Sequence, residues 1–134
     1  MKRCTLNTDG ASSGNPGESG IGVVIDVDGK RLELSEYIGR ATNNVAEYTA
    51  LIKGLEKAKD LRIGRIEILL DSELIVKQIK GEYKVKSESL RALYNRVIAL
   101  LKDFESYVIR HVPREENMDA DRLARRAIKE RHKR

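Results

Sequence analysis

A chain of 134 residues has length for one hydrophobic core and not for two ordinary domains, and 40% hydrophobic with 35% charged side chains suits a single globular domain over 1–134. No apolar run approaches the roughly 20 residues of a membrane helix, and the N-terminus carries no signal-peptide apolar core, so no membrane partner is expected. The lone cysteine, Cys4, excludes an internal disulfide and is expected as a small core residue in a reducing cytoplasm.

The net charge of +5 is unevenly placed. Residues 122–134 hold seven basic side chains and one acid, Glu130, a net of +6, which leaves 19 basic and 20 acidic groups elsewhere. A basic tail over 129–134, with the segment before it, suggests a polyanionic partner; a solvated helix end is the ordinary alternative.

In chain order, residues 2–8 read as a first strand. The turn signals Asp9-Gly10 and Asn15-Pro16-Gly17 follow, so Asp9 is expected where strand gives way to a loop of small residues. An acid held there can meet a metal, and the small residues let a phosphate backbone come close; a surface hairpin whose Asp closes a turn is the simpler reading. Gly20 to Val27 is a β-branched run, and Leu32, Leu34 and Ile38 alternate in a third strand behind the hairpin signal Asp28-Gly29.

The period then becomes helical. Val45, Tyr48, Leu51, Ile52, Leu55 and Ala58 predict a helix from about Asn44 to Lys59, with Asn44 as cap and Glu47 as its capping-box partner. Ile66 to Leu70 is a compact strand ending at Asp71, Ser72 to Lys80 a short helix, and Gly81 its stop. Ser87 caps an amphipathic helix through Leu101, Tyr107 to Val112 is a last strand closed by Pro113, and a final helix starts near Asn117. The order βββαβααβα implies an α/β fold: a five-stranded mixed sheet, three strands antiparallel and two added in parallel, flanked by four helices.

Asp9 and Asp71 close the first and fourth strands. As parallel neighbours these strands lie about 4.8 Å apart, and paired ions about 3.5–4 Å apart fit between such carboxylates. Glu47 and Asp121, each near a helix start, complete a possible cluster. Each acid also has an ordinary use: Asp71-Ser72 as a helix cap, Glu47 in its capping box, Asp121 paired with Arg125 four residues on. Four such acids on one edge repel one another unless they bind metal or shift their pKa values.

Four motifs then carry a family resemblance. They are Thr8-Asp9-Gly10-Ala11-Ser12 through Gly14-Asn15-Pro16-Gly17; Thr42-Asn43-Asn44-Val45-Ala46-Glu47; Asp71-Ser72; and His111-Val112-Pro113-Arg114-Glu115-Glu116-Asn117 with Ala120-Asp121. In this order and spacing the chain resembles a type 1 ribonuclease H domain from about Lys2 to Ala127. Two departures stand out. Glu73 occupies a position where the family often has Gln, and Gly81–Lys86 replaces the basic, Trp-containing protrusion of many members.

The resemblance implies a ribonuclease H-like fold and endonucleolytic hydrolysis of the RNA strand of RNA–DNA hybrids. It implies two Mg²⁺ ions per site, with Mn²⁺ as substitute, and 5′-phosphate and 3′-hydroxyl ends. Metal binding and catalysis fall to Asp9, Glu47, Asp71 and Asp121, and His111 matches a mobile histidine that aids proton transfer or product release. Gly10, Ala11, Ser12, Asn15, Asn43 and Asn44 contact the hybrid, while Arg114 suits a phosphate clamp. With the protrusion missing, Lys84 and Lys86 are expected to hold the DNA strand less tightly, and the basic C-terminal helix to compensate. Such chemistry needs no protein nucleophile, which agrees with motifs that lack a Cys–His or Ser–His pair. A monomer is expected, without an obligatory protein partner. The alternatives are a related nuclease that also cuts double-stranded RNA and a non-catalytic nucleic-acid-binding module on the same fold.

Overall fold

A computed structural model describes residues 2–131; the end of the basic tail lies outside the described residues. Ten elements follow one another: β1 (Arg3–Gly14), β2 (Gly17–Val27), β3 (Lys30–Ala41), α1 (Asn43–Asp60), β4 (Arg65–Leu70), α2 (Glu73–Ile79), α3 (Glu88–Leu101), β5 (Ser106–His111), a 3₁₀ turn (Arg114–Glu116) and α4 (Met118–Lys129). The strands form one sheet in the order β3-β2-β1-β4-β5. β1, β2 and β3 pair antiparallel, whereas β4 adds parallel to β1 and β5 parallel to β4, as the pattern implied.

The first strand is longer than its turn residues suggest. Thr8 to Gly14 stay paired with Val23 to Gly17, so Asp9 sits within a strand, opposite Gly22, and the chain reverses only at Asn15-Pro16. Sheet pairing on the β2 side overrides the local turn preference of Asp9-Gly10, because each extended residue keeps its backbone hydrogen bonds satisfied. Asp28 (φ 52°) and Gly29 (φ 74°) close the second hairpin as expected.

The core fills one face of the sheet. Leu6, Ile25, Leu51, Leu55, Ile68 and Leu100 are among its buried members, Cys4 lies at its edge, and α1 and α3 supply the helical layer. Inside this layer the Tyr48 hydroxyl donates to Gln78 Oε1 (2.7 Å), which satisfies two buried polar groups. On the other face α4 packs on β1, β2 and β3, with Val24, Ala120 and Leu123 at the contact. Thr42, rather than Asn44, caps α1: its Oγ1 accepts from Val45 N (3.2 Å), which shifts the helix start and leaves Glu47 two positions too deep for a capping box. Ser72 and Ser87 cap α2 and α3. No helix among the described residues is long and apolar enough to cross a membrane.

Two glycines set how closely the helices approach. A methyl on Gly22 would lie 2.0 Å from the Ala120 carbonyl oxygen, and one on Gly10 would lie 2.3 Å from the Ala46 carbonyl carbon. In both places backbone meets backbone, so neither neighbour can yield by turning a side chain. Gly22→Ala must lift α4 off the sheet; the expected cost is about 2 kcal/mol, or a fall of about 5–10 °C in Tm. A thermal melt within 2 °C of the parent would contradict this reading of the contact.

Candidate functional site

The acids converge from β1, α1, the end of β4 and α4. Register pairs Asn7 of β1 with Leu69 of β4, so Asp9, two residues on in β1, comes beside Asp71, which lies one residue past the end of β4. The close contact at Gly10 brings α1 over β1, where Gly10 N donates to Glu47 Oε1 (2.8 Å). Asp9, Glu47 and Asp71 thereby each offer a carboxylate oxygen within 4.8 Å of the others. Asp121, in the first turn of α4, is buried against the same site and reaches Asp9, but it is drawn to cations. Arg125 Nε donates to its Oδ1 (3.1 Å), and Arg114 lies 3.8 Å from the same atom.

Burial drives the electrostatics. It is the largest force raising the Asp9 pKa, and the hydrogen bond and negative charge of Glu47 add to it. Burial also raises Glu47, opposed by its hydrogen bonds with Asp9 and the Gly10 amide. Asp71 is raised for the same reason, while Asn117 and Arg114 pull it back down. Protein groups alone therefore leave these carboxylates short of positive charge. All the donors are hard carboxylate oxygens, a set that suits Mg²⁺ or Mn²⁺ and not a soft thiophilic metal.

Asn117 is the residue that sequence reasoning passed over. Beyond its place in the His111–Asn117 motif it marked the expected start of the last helix, yet it is 1% exposed and its side chain does not cap that helix. Its Oδ1 accepts from Asn7 Nδ2 (3.1 Å), its Nδ2 donates to the Thr8 carbonyl (2.9 Å), and its side chain also hydrogen-bonds Asp71. One amide thus ties β1, Asp71 and the helix bearing Asp121. A signal was present: an amide side chain inside the His111–Asn117 motif has more bonding capacity than a cap uses.

A cleft of about 610 Å³ opens over the acids. Gly10, Ala11, Ser12, Asn43 and Arg114, all expected on the substrate path, line it with Asp9, Asp71 and Asp121. Asn15 stands just behind, its Oδ1 accepting from Asn43 N (3.0 Å), so that it fixes the wall of the cleft. Asn44 is half-buried beside Asn43 in the first turn of α1. His111 is exposed at the end of β5, opposite Leu70 and outside the lining residues. Lys84 and Lys86 are exposed on the link between α2 and α3, away from the cleft lining. Glu73 faces solvent and pairs with Lys77 (3.6 Å).

The profile of the Reverse transcriptase-like family matches residues 7–127. The bifunctional protein Rv2228c of Mycobacterium tuberculosis is 43% identical over 129 residues, covering 94% of this chain and 35% of that protein, so the chain spans about a third of its length. Ribonuclease HI of Halobacterium salinarum is 45% identical over 122 residues, covering 90% of this chain and 61% of that protein. The crystal structure of RNase H1 from the same archaeon matches with a TM-score of 0.92 over 96% of this chain and 98% of that one. LC11-RNase H1, solved in complex with an RNA/DNA hybrid, is 42% identical with a TM-score of 0.88, covering 95% of this chain and 97% of that one. Agreement of this extent in sequence, strand order and helix placement has one consequence: the chain belongs to the ribonuclease H family.

Proposed function

We propose that this protein is an endoribonuclease that hydrolyses the RNA strand of RNA–DNA hybrids with divalent cations, leaving 5′-phosphate and 3′-hydroxyl ends. The observation that carries the reading is the triad Asp9, Glu47 and Asp71, contributed by three separate elements yet within 4.8 Å of one another. Four acids, Asp121 included, are more than a non-catalytic binding module needs, because each buried carboxylate costs stability unless a cation compensates it. The hybrid as substrate is supported by the relationship to LC11-RNase H1, whose structure holds one.

Asp9, Glu47, Asp71 and Asp121 would hold the ions, two Mg²⁺ or Mn²⁺ per site. When bound, such ions acidify an attacking water and neutralise charge on the leaving 3′ oxygen. The chain's own residues supply the positioning. The Gly10 amide holds Glu47, and Asn117 holds Asp71, so neither carboxylate must be ordered when substrate arrives. Gly10 to Ser12 present backbone and small side chains to the RNA strand, with Asn43 and Arg114 on the remaining walls. Ribose 2′-hydroxyls are what tell RNA from DNA, and the amides at Asn15, Asn43 and Asn44 would read them, a role supported by the hydrogen bond that joins Asn15 to Asn43 at the cleft wall. His111, exposed at the end of β5 next to Leu70, moves a proton at the rim as product leaves.

Asp71→Asn keeps the shape and the hydrogen-bonding capacity toward Asn117. It is expected to reduce Mg²⁺-dependent hybrid cleavage by on the order of 10³-fold, the several kcal/mol attributed to a metal ion at a developing charge, with hybrid binding largely retained. Full activity in that variant would refute the site. The parent is to be assayed on matched RNA–DNA, RNA–RNA and DNA–DNA duplexes; cleavage confined to the hybrid is expected, and equal cleavage of double-stranded RNA would replace this reading by the broader nuclease. A second test follows from the raised carboxylates. A folded-state pKa above the unfolded value of about 4 means that stability is complete below that pH and is lost as pH rises through the folded value. Asp9→Asn should therefore melt about 3–5 °C above the metal-free parent at pH 7, a gain of ~1 kcal/mol, with the difference closing below about pH 4. Mg²⁺ should stabilise the parent and not the variant.

A further inference from the structure

The cleft does not end at the acids. Its wall continues along α4, where Arg125 and Lys129 line it one and two turns beyond Asp121. Around that ridge lies a second, shallow depression of about 770 Å³. It shares Arg114, Asp121, Arg125 and Lys129 with the cleft and adds Arg122 and Arg126, so five cations face two acids there. The two concavities are one continuous surface folded over a helix.

We propose that the basic ridge of α4 binds the phosphate backbone of the nucleic acid beyond the cleaved segment. The proposal rests on the hybrid-cleavage reading above and extends it from the acids to a second contact area. Charge is the first argument. Arg122 and Arg126 are exposed, and the ion pairs of Arg122 with Glu33 (3.6 Å) and Asp119 (3.9 Å) and of Arg126 with Glu130 (4.0 Å) are long surface pairs that a phosphate displaces at little cost. Lys129 has no ion pair among the described residues. Reach is the second. Residues 122, 126 and 129 follow one stripe of the helix, and seven residues at 1.5 Å each span about 10 Å. That is close to three base steps of a duplex at 3.4 Å each. Continuity is the third: a duplex seated over Asp9 and Asp71 leaves the cleft past Arg125, and the next basic groups it meets are those of the ridge. Arginine suits this contact because its planar donors grip a phosphate through two bonds.

The test uses Arg122 and Arg126, which line only the depression and lie outside the cleft. Hybrid binding is measured as a function of salt in the Asp71→Asn background, where cleavage does not interfere. Replacing both arginines (Arg122→Gln with Arg126→Gln) is expected to weaken binding about tenfold near 0.15 M salt. The slope of log K against log salt is expected to fall by about 2, one unit per lost phosphate contact. A paired replacement by lysine should keep the slope, and because both positions are exposed the melting temperatures should match the parent's. An unchanged slope in the glutamine pair, or an equal loss in the lysine pair, would overturn the ridge as an electrostatic contact. The outcomes stay separable from the functional reading: if the Asp71→Asn parent binds no hybrid at any salt, that reading falls, whereas normal parental binding with an indifferent ridge removes this inference alone.

Discussion

Backbone-to-backbone contact between helices and the central strands is the constraint on which the rest depends. At Gly10 and Gly22 no side chain separates the layers, so α1 and α4 lie against β1 and β2 at the shortest distance that van der Waals radii permit. Glu47 follows the α1 contact directly, and Asp121 follows Ala120, the α4 contact residue. The acids are thus carried to Asp9 from both faces of the sheet by the same packing that buries the core. Larger residues at the two glycines would move the carboxylates apart before they disturbed anything else.

This geometry also explains an electrostatic asymmetry. Glu47 is held by the Gly10 amide and Asp71 by the Asn117 side chain, and among the described residues no member of the triad has an ion pair, whereas Asp121 sits between Arg125 and Arg114. Three carboxylates are consequently left without an ion pair, and the fourth is held by two guanidinium groups. A site organised this way separates affinity from geometry: donors on the backbone and on Asn117 fix positions, and the charge deficit supplies attraction.

Much of this was legible in the sequence, for identifiable reasons. Strand order and helix count followed from hydrophobic period, because a sheet with one face on α1 and α3 repeats every two residues and the helices every 3.6. The four acids were recognisable by their positions at element ends together with the four motifs around them. What the sequence misplaced was governed by contacts far away in the chain. Asp9-Gly10 looks like a turn, but pairing with β2 holds it extended; Asn44 looks like a cap, but the strand before it delivers Thr42 to that role. Asn117 offered only a local reading, and its bonds to Asn7 and Thr8 join residues more than a hundred positions apart. No pattern of neighbouring residues encodes a bond of that range.

The extended course of β1 has one more consequence. Asp9 is not on a loop that can fray but on the middle strand of five, with β2 on one side and the end of β4 on the other. Sub-global opening in proteins begins at segments with few buried contacts and leaves central strands for last. The carboxylate at the centre of the acidic cluster therefore belongs to the slowest-opening part of the molecule. Partial opening of β5, or of α2 and α3, leaves Asp9 in register with β2.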